Sequence, residues 1–345
     1  LNTVVSTTWT ENNPLMLSYL GKVHAKIFVH VIEADLENPL DDFKLSNDIY
    51  EFLGALLEGN QHGLSILFLT GDLATKENID DEDNKKEIVV KSNNKSVLTV
   101  LQNNALKLEL LPDYVSCALL DAIALAFNSW VQKKNIQKDS EFINILMKVF
   151  KQFKPSPDPI ENLTDEKILE ISNKFRLASR VAEIFALYVY SSDNVSSPIH
   201  QLLNSNELFA MIKPYYDIHH ECADLLDEID ERFTKKFPKL ALNKFRSQSL
   251  IKPRTHHSCD LFNIDLISTL FIGMTDTTDL LNRNSIIADI KNVSLRLQYV
   301  NHQIAAAKAW GALLTSFIKV TSEPLNDDYV DIICFFLQTN IDGKT

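Results

Sequence analysis

Residues 290–318 read IKNVSLRLQYVNHQIAAAKAWGALLTSFI. Ile290, Val293, Leu297, Val300, Ile304, Ala307, Gly311, Leu314 and Ile318 step by 3 and 4 without a slip, which is the repeat of one helix face. No proline lies between Asn282 and Ser322, and Pro324 follows. A single helix about 55–60 Å long is expected at 1.5 Å per residue, with a break near Asn301-His302 as the alternative. A second group, Tyr299, Ala306, Trp310, Leu313 and Phe317, lies off that stripe at helical spacing. A helix apolar on two sides must be covered on two sides. The second side is therefore a candidate groove for an amphipathic partner helix, with Trp310 as anchor. The competing reading has the next helix of the chain, beginning near Asp327, fill it.

The same two-sidedness recurs upstream. In Asp165–Tyr190, one stripe runs through Ile168, Ile171, Phe175, Ala178, Ala182, Phe185 and Val189, and a second through Leu177, Val181, Ile184 and Tyr188. That suits the inner layer of a stacked helical array. Toward the N-terminus, Leu17, Leu20, His24, Ile27, Val31 and Ala34 predict a helix with that stripe buried. Ser46 reads as the N-cap of a helix carrying Ile49, Phe52, Leu53, Leu56 and Leu57, closed by Gly59-Asn60. Leu64–Leu69 is read as helix, ending at Gly71. Helices resume at Ser96, at Pro112 and at Ser140, and Pro155, Pro157 and Pro159 form a spacer that cannot continue a helix. Shorter helices are expected near His200–Asn204 and Glu207–Tyr215, another over about Asp217–Lys236, and an apolar one over Tyr329–Leu337. Residues 72–94 carry Glu77, Asp80, Asp81, Glu82, Asp83 and Glu87 among Asn and Lys, and read as a mobile acidic loop, with Ile88–Val90 able to form a short strand.

Composition supports the helical reading and narrows function. The 345 residues include only 8 glycines, roughly a third of the usual share, which disfavours turn-rich β folds and glycine-rich phosphate loops. The net charge of −12 argues against a nucleic-acid binder, which needs a basic face. No apolar run reaches the roughly 18 residues of a membrane span. Leu1 in place of Met suggests a fragment or a processed form. Cys117, Cys222, Cys259 and Cys334 lie far apart, three of them in apolar stretches, and read as reduced thiols.

Little in the chain points to chemistry. His219-His220-Glu221-Cys222 and His256-His257-Ser258-Cys259 both spell His-His-x-Cys, the donor types that zinc accepts. Adjacent histidines on a helix diverge by about 100°, so at most one of each pair would face a shared site, and no metal is expected. Asp224, Asp227, Glu228, Asp230 and Glu231 occupy the polar face of an amphipathic helix and read as solvated rather than as an acid–base pair. Leu69-Thr70-Gly71-Asp72 has no lysine to follow its glycine and is not a phosphate loop. His24 and His302 sit on or beside apolar stripes, where a buried, hydrogen-bonded histidine is expected rather than a ligand.

Two stretches resemble a known family. Phe52–Gly71, FLGALLEGNQHGLSILFLTG, and Tyr299–Thr315, YVNHQIAAAKAWGALLT, are similar to segments of the large inner-ring scaffold nucleoporins of the nuclear pore complex, and the Asn-rich composition suits a fungal member. The resemblance implies a karyopherin-like α-solenoid that is not an enzyme, sits at the nuclear envelope and supports nucleocytoplasmic transport of protein and mRNA. The partners it implies are other nucleoporins, above all an inner-ring linker nucleoporin bound through a short helical motif, with transport receptors a further class. It implies no cofactor, and no family site residue maps onto this chain.

The expected fold is thus all-α, an irregular HEAT- or armadillo-like solenoid of eleven to thirteen helices. Residues 1–345 would form one continuous, elongated segment of a longer protein. The expected function is a structural scaffold, with a HEAT-repeat transport receptor or adaptor as the alternative.

Overall fold

The computed structural model describes residues 16–59, 61–71, 96–129, 140–152, 160–191, 197–203, 205, 208–216, 222–245, 262–271 and 277–320, together with 330, 331 and 334. Among them twelve α-helices follow one another with no strand: α1 (Met16–Leu36), α2 (Phe43–Glu58), α3 (His62–Thr70), α4 (Val97–Ala105), α5 (Asp113–Ser129), α6 (Ser140–Gln152), α7 (Asp165–Ser191), α8 (Ser197–Leu203), α9 (Leu208–Tyr216), α10 (Cys222–Lys236), α11 (Ile264–Thr269) and α12 (Thr277–Val320). The fold class is all-α, with solenoid-type packing of successive helices. The acidic loop at 72–94, the strand at Ile88–Val90, Trp130 and the proline spacer lie outside the described residues. The helices group into two compact units, one holding α1 to α5 and α6 as far as Val149, the other Phe150, α7 as far as Tyr190, and α8 to α12.

In the first unit α2 is the central helix, lying mainly on α5 and touching α1 and α3. The sequence of α5 is apolar nearly all round, and Val115, Ala118, Leu119, Leu120, Ala122, Ile123 and Ala126 are all buried, as such a helix must be. Phe28, Phe52 and Phe68, from α1, α2 and α3, meet edge to face with centroids 5.7–6.4 Å apart, the favoured arrangement of ring quadrupoles. Asn104 at the end of α4 fastens two elements at once. Its amide donates to the Leu36 carbonyl at 2.9 Å and to the Tyr50 hydroxyl at 3.0 Å, satisfying polar groups far from water. A Cβ on Gly63 would stand 2.7 Å from Leu17 Cδ2, so glycine lets the first turn of α1 lie close on α3.

Two sequence expectations are corrected here. The N-cap of α2 is Asp42, whose carboxylate accepts from the Lys44 and Leu45 amides at 3.0 Å. Ser46 lies buried within the helix and its hydroxyl donates to the Pro39 carbonyl; the helix begins a turn earlier, at Asp42, a residue type that caps as well as serine. In α1 the buried residues are Ala25, Val29, Ile32 and Leu36, while His24, Ile27, Val31 and Ala34 are exposed. Both sets step by 3 and 4, and the chain breaks helical geometry at Gly21 (φ 70°, ψ 162°), which rephases the helix after Leu20. His24 is correspondingly not a buried histidine.

In the second unit both stripes of α7 are buried along their full length, as the pattern requires. The long C-terminal pattern is one 44-residue helix, α12, about 66 Å long at 1.5 Å per residue, with no break at Asn301-His302. Its N-terminal half closes a core of Ile229, Phe233, Leu242, Phe245, Phe262, Ile267 and Phe271 against Ile286, Ile290 and Val293. On α10, Asp227, Glu228 and Glu231 are exposed, as expected of a solvated face. Asp230 instead accepts from the Leu242 amide at 3.0 Å and fixes the short turn Leu242–Phe245.

Replacing Asn104 with Ala should lower stability by about 1–3 kcal/mol, because it strands the buried Leu36 carbonyl and Tyr50 hydroxyl. Urea unfolding followed by far-ultraviolet circular dichroism measures this, and an unchanged midpoint would show that Asn104 does not hold α1, α2 and α4 together.

Candidate functional site

The five residues of the candidate groove project from the C-terminal half of α12. Trp310, Ala306, Leu313 and Phe317 are buried and Tyr299 is half-buried. The covering groups come from the same unit. The Trp310 indole lies against Phe150 at 4.6 Å between centroids and parallel to the Tyr215 ring at 6.4 Å. Phe175 of α7 meets Tyr215 edge-on at 5.7 Å and Tyr299 at 5.2 Å, and Phe317 meets the His200 ring of α8 at 5.7 Å. The second apolar side of α12 is thus filled by α6, α7, α8 and α9, not left open as a groove. The helix expected near Asp327 lies outside the described residues except for 330, 331 and 334.

Backbone polar groups fasten the seam. The Tyr216 hydroxyl donates to the Ala307 carbonyl at 3.0 Å, and the Gln303 amide donates to the Pro214 carbonyl at 2.8 Å. Pro214 lies inside α9, where its ring excludes a helical bond to the carbonyl four residues back. The small side chains of Ala306 and Ala307 let α9 approach this closely. Burial pushes the Tyr215, Tyr216 and Tyr299 hydroxyls up from their ordinary range. The same cause takes Tyr50 in the first unit to about 12, against the opposing pull of the Asn104 hydrogen bond. The Trp310 Nε1 hydrogen has no acceptor among the described residues.

His302 is buried, as its place beside the stripe suggested, with Nδ1 2.8 Å from Ser172 Oγ and 3.1 Å from the Ser172 carbonyl. A serine and a histidine at this distance are the parts of an activated nucleophile, but both are sealed between α7 and α12, where no substrate reaches them. The sequence pattern indicated a buried histidine; nothing in it pointed to a partner 130 residues away. Among the described residues no group of three or more His, Cys, Asp or Glu side chains could hold a metal ion. The two His-His-x-Cys clusters fall outside them, except for the backbone of Cys222 at the start of α10. No described helix is long and apolar enough to cross a membrane.

Comparison with known proteins adds what the geometry lacks. Residues 1–72 match the family model described as Nucleoporin Nup188, N-terminal subdomain III. Across 99% of its length the chain is 37% identical to Nucleoporin NUP188 of Saccharomyces cerevisiae, of which it covers 20%. The resemblance to the large scaffold nucleoporins holds from end to end. Nucleoporin nup184 of Schizosaccharomyces pombe is 18% identical over 94% of the chain, again with 20% of that protein covered. The chain thus spans about a fifth of the length of the curated relatives it matches. The Nup188-like sequence covers both compact units, so the buried seam on α12 and the aromatic trio of the first unit lie in one nucleoporin-like segment.

Two outcomes follow. Trp310→Ala should cost about 3–5 kcal/mol of stability, whereas Trp310→Phe should cost less, since it keeps a ring and removes an unpaired N–H. Chemical denaturation reads both, and a Trp310→Ala variant of undiminished stability would restore the partner-anchor role. With rising pH, unfolded tyrosines ionise near 10 while the buried ones hold their protons to higher pH. The unfolded chain then binds fewer protons than the folded chain, so stability is fully present below about pH 10 and falls as pH rises toward the raised values. In an alkaline titration, tyrosinate absorbance from the buried rings should rise together with loss of helix. Ionisation of all 9 tyrosines near pH 10 with helicity intact would contradict the burial.

Proposed function

We propose that this chain is one segment of a longer α-solenoid that serves as a structural scaffold of the nuclear pore complex at the nuclear envelope, with no catalytic role of its own. The observation that carries this reading is the 37% identity to a Nup188 nucleoporin along nearly the whole chain, joined to an all-α architecture in which polar side chains are spent on tying helices together. Gln303, Tyr216, Asn104 and Asp230 each bond the backbone of another element. Such residues hold a shape. The inner-ring position, the binding of helical motifs from linker nucleoporins and the support of nucleocytoplasmic transport belong to the same proposal. A linker helix that docked at Tyr299, Ala306, Trp310, Leu313 and Phe317 would have to displace Tyr215 and Tyr216.

The test is made in cells on the full-length protein carrying this segment. Tagged at its natural locus, it should form a punctate nuclear rim and stay there through shuttling assays that move transport receptors on and off the pore. A diffuse nucleocytoplasmic distribution with rapid exchange would instead favour the transport-receptor reading.

A further inference from the structure

Helix α1 carries an apolar stripe that the described residues leave bare. Val23, Ile27 and Val31 are 69%, 55% and 49% exposed and follow the break at Gly21, spaced four residues apart so that they share one face; Tyr19, before the break, is 82% exposed. Isolated apolar side chains on a surface need no explanation, but three in register along one helix form a patch that marks an interface. The patch does not arise because α1 hangs loose. The Met16 amide donates to Gln61 Oε1 at 2.8 Å at one end. The Leu36 carbonyl accepts from Asn104 at the other, and Phe28 packs between Phe52 and Phe68 on the opposite side. The outward stripe is therefore presented by a fixed helix. Lys22, Lys26 and His30, all exposed, border it on one edge, in a chain whose net charge is −12.

We propose that this face docks the polypeptide that precedes this segment in the longer nucleoporins, through a helix with an apolar ridge and an acidic edge. The inference rests on the reading of the chain as one segment of a longer solenoid. Two facts select this occupant over a second copy or a separate protein. The match over residues 1–72 is to a subdomain numbered third within an N-terminal region, and the relatives extend well beyond the fifth of their length that aligns here. In stacked helical arrays each layer buries its open side on the adjacent layer, and α1 is the first described layer of its unit.

The test uses the full-length nucleoporin. Carbodiimide cross-linking, which joins amines to carboxylates, read by mass spectrometry should link Lys22 and Lys26 to acidic-edged helices of the preceding segment. In parallel, Val23→Cys and Ile27→Cys should react with a maleimide about tenfold or more slowly than Glu51→Cys on the exposed side of α2, as expected of positions that open only by local unfolding. Equal reactivity at all three positions overturns the proposal, as do links that run only to a second copy or to another nucleoporin. Because rim localisation is scored separately, loss of protection with the rim intact refutes the docking face alone. Loss of the rim refutes the scaffold reading.

Discussion

Helices in proteins gain most of their stability from burying an apolar face, and the 44-residue α12 carries two such faces. The length of α12 therefore imposes a constraint on everything around it: two apolar sides must find cover along most of the span. The second unit is organised by that demand. α10 and α11 cover the N-terminal half. The aromatic residues of α6, α7 and α9 cover the C-terminal half. Remove the two-sidedness of α12 and the short helices α8, α9 and α11 lose the surface that makes them stable, since pieces of six to nine residues are too short to persist alone.

Among the described residues several polar side chains are directed toward the backbone of another element. Asn104, Tyr216, Gln303 and Asp230 meet main-chain groups of another element, and the Ser172–His302 pair is sealed between two helices. Catalytic groups need access to substrate and a reason to change protonation near neutral pH. Burial moves the tyrosines further from neutrality, and each of these buried polar bonds fixes the register between neighbouring elements.

Periodicity made most of the fold legible, and its failures have a common cause. On α7 and α12 the apolar residues are numerous enough to define both stripes, and no break rephases them, so Phe175, Val181 and Leu314 were readable as buried. On α1 the two stripes are equally regular, and the sequence offers no means of choosing which faces inward; Phe28 and Leu36 decide it by meeting partners from α2, α3 and α4. The conformational break at Gly21 was likewise invisible to a rule that assumes continuous helix. At α2 an equally good cap four residues earlier, Asp42, starts the helix, and Ser46 bonds the Pro39 carbonyl instead. Trp310 shows the remaining limit: its helical position was evident, but its cover, Phe150 and Tyr215, lies 160 and 95 residues away in sequence, and contacts of that separation leave no local trace.

The contrast between α7 and α1 carries this one step further. Both helices are apolar on two sides. For α7 the chain itself supplies both covers, so its burial is complete. For α1 the described chain supplies one, and the other side stays in water with Val23, Ile27 and Val31 aligned. Keeping those three side chains exposed forgoes roughly 1.5–3 kcal/mol for each that could be fully buried, a large sum beside the marginal stability of a typical domain. A helix pinned at Phe28 and Leu36 has no freedom to turn that face inward. In a scaffold of stacked helices the surfaces that join one layer to the next are of the same kind as the surfaces that build each layer, and they differ only in whether the covering helix is at hand.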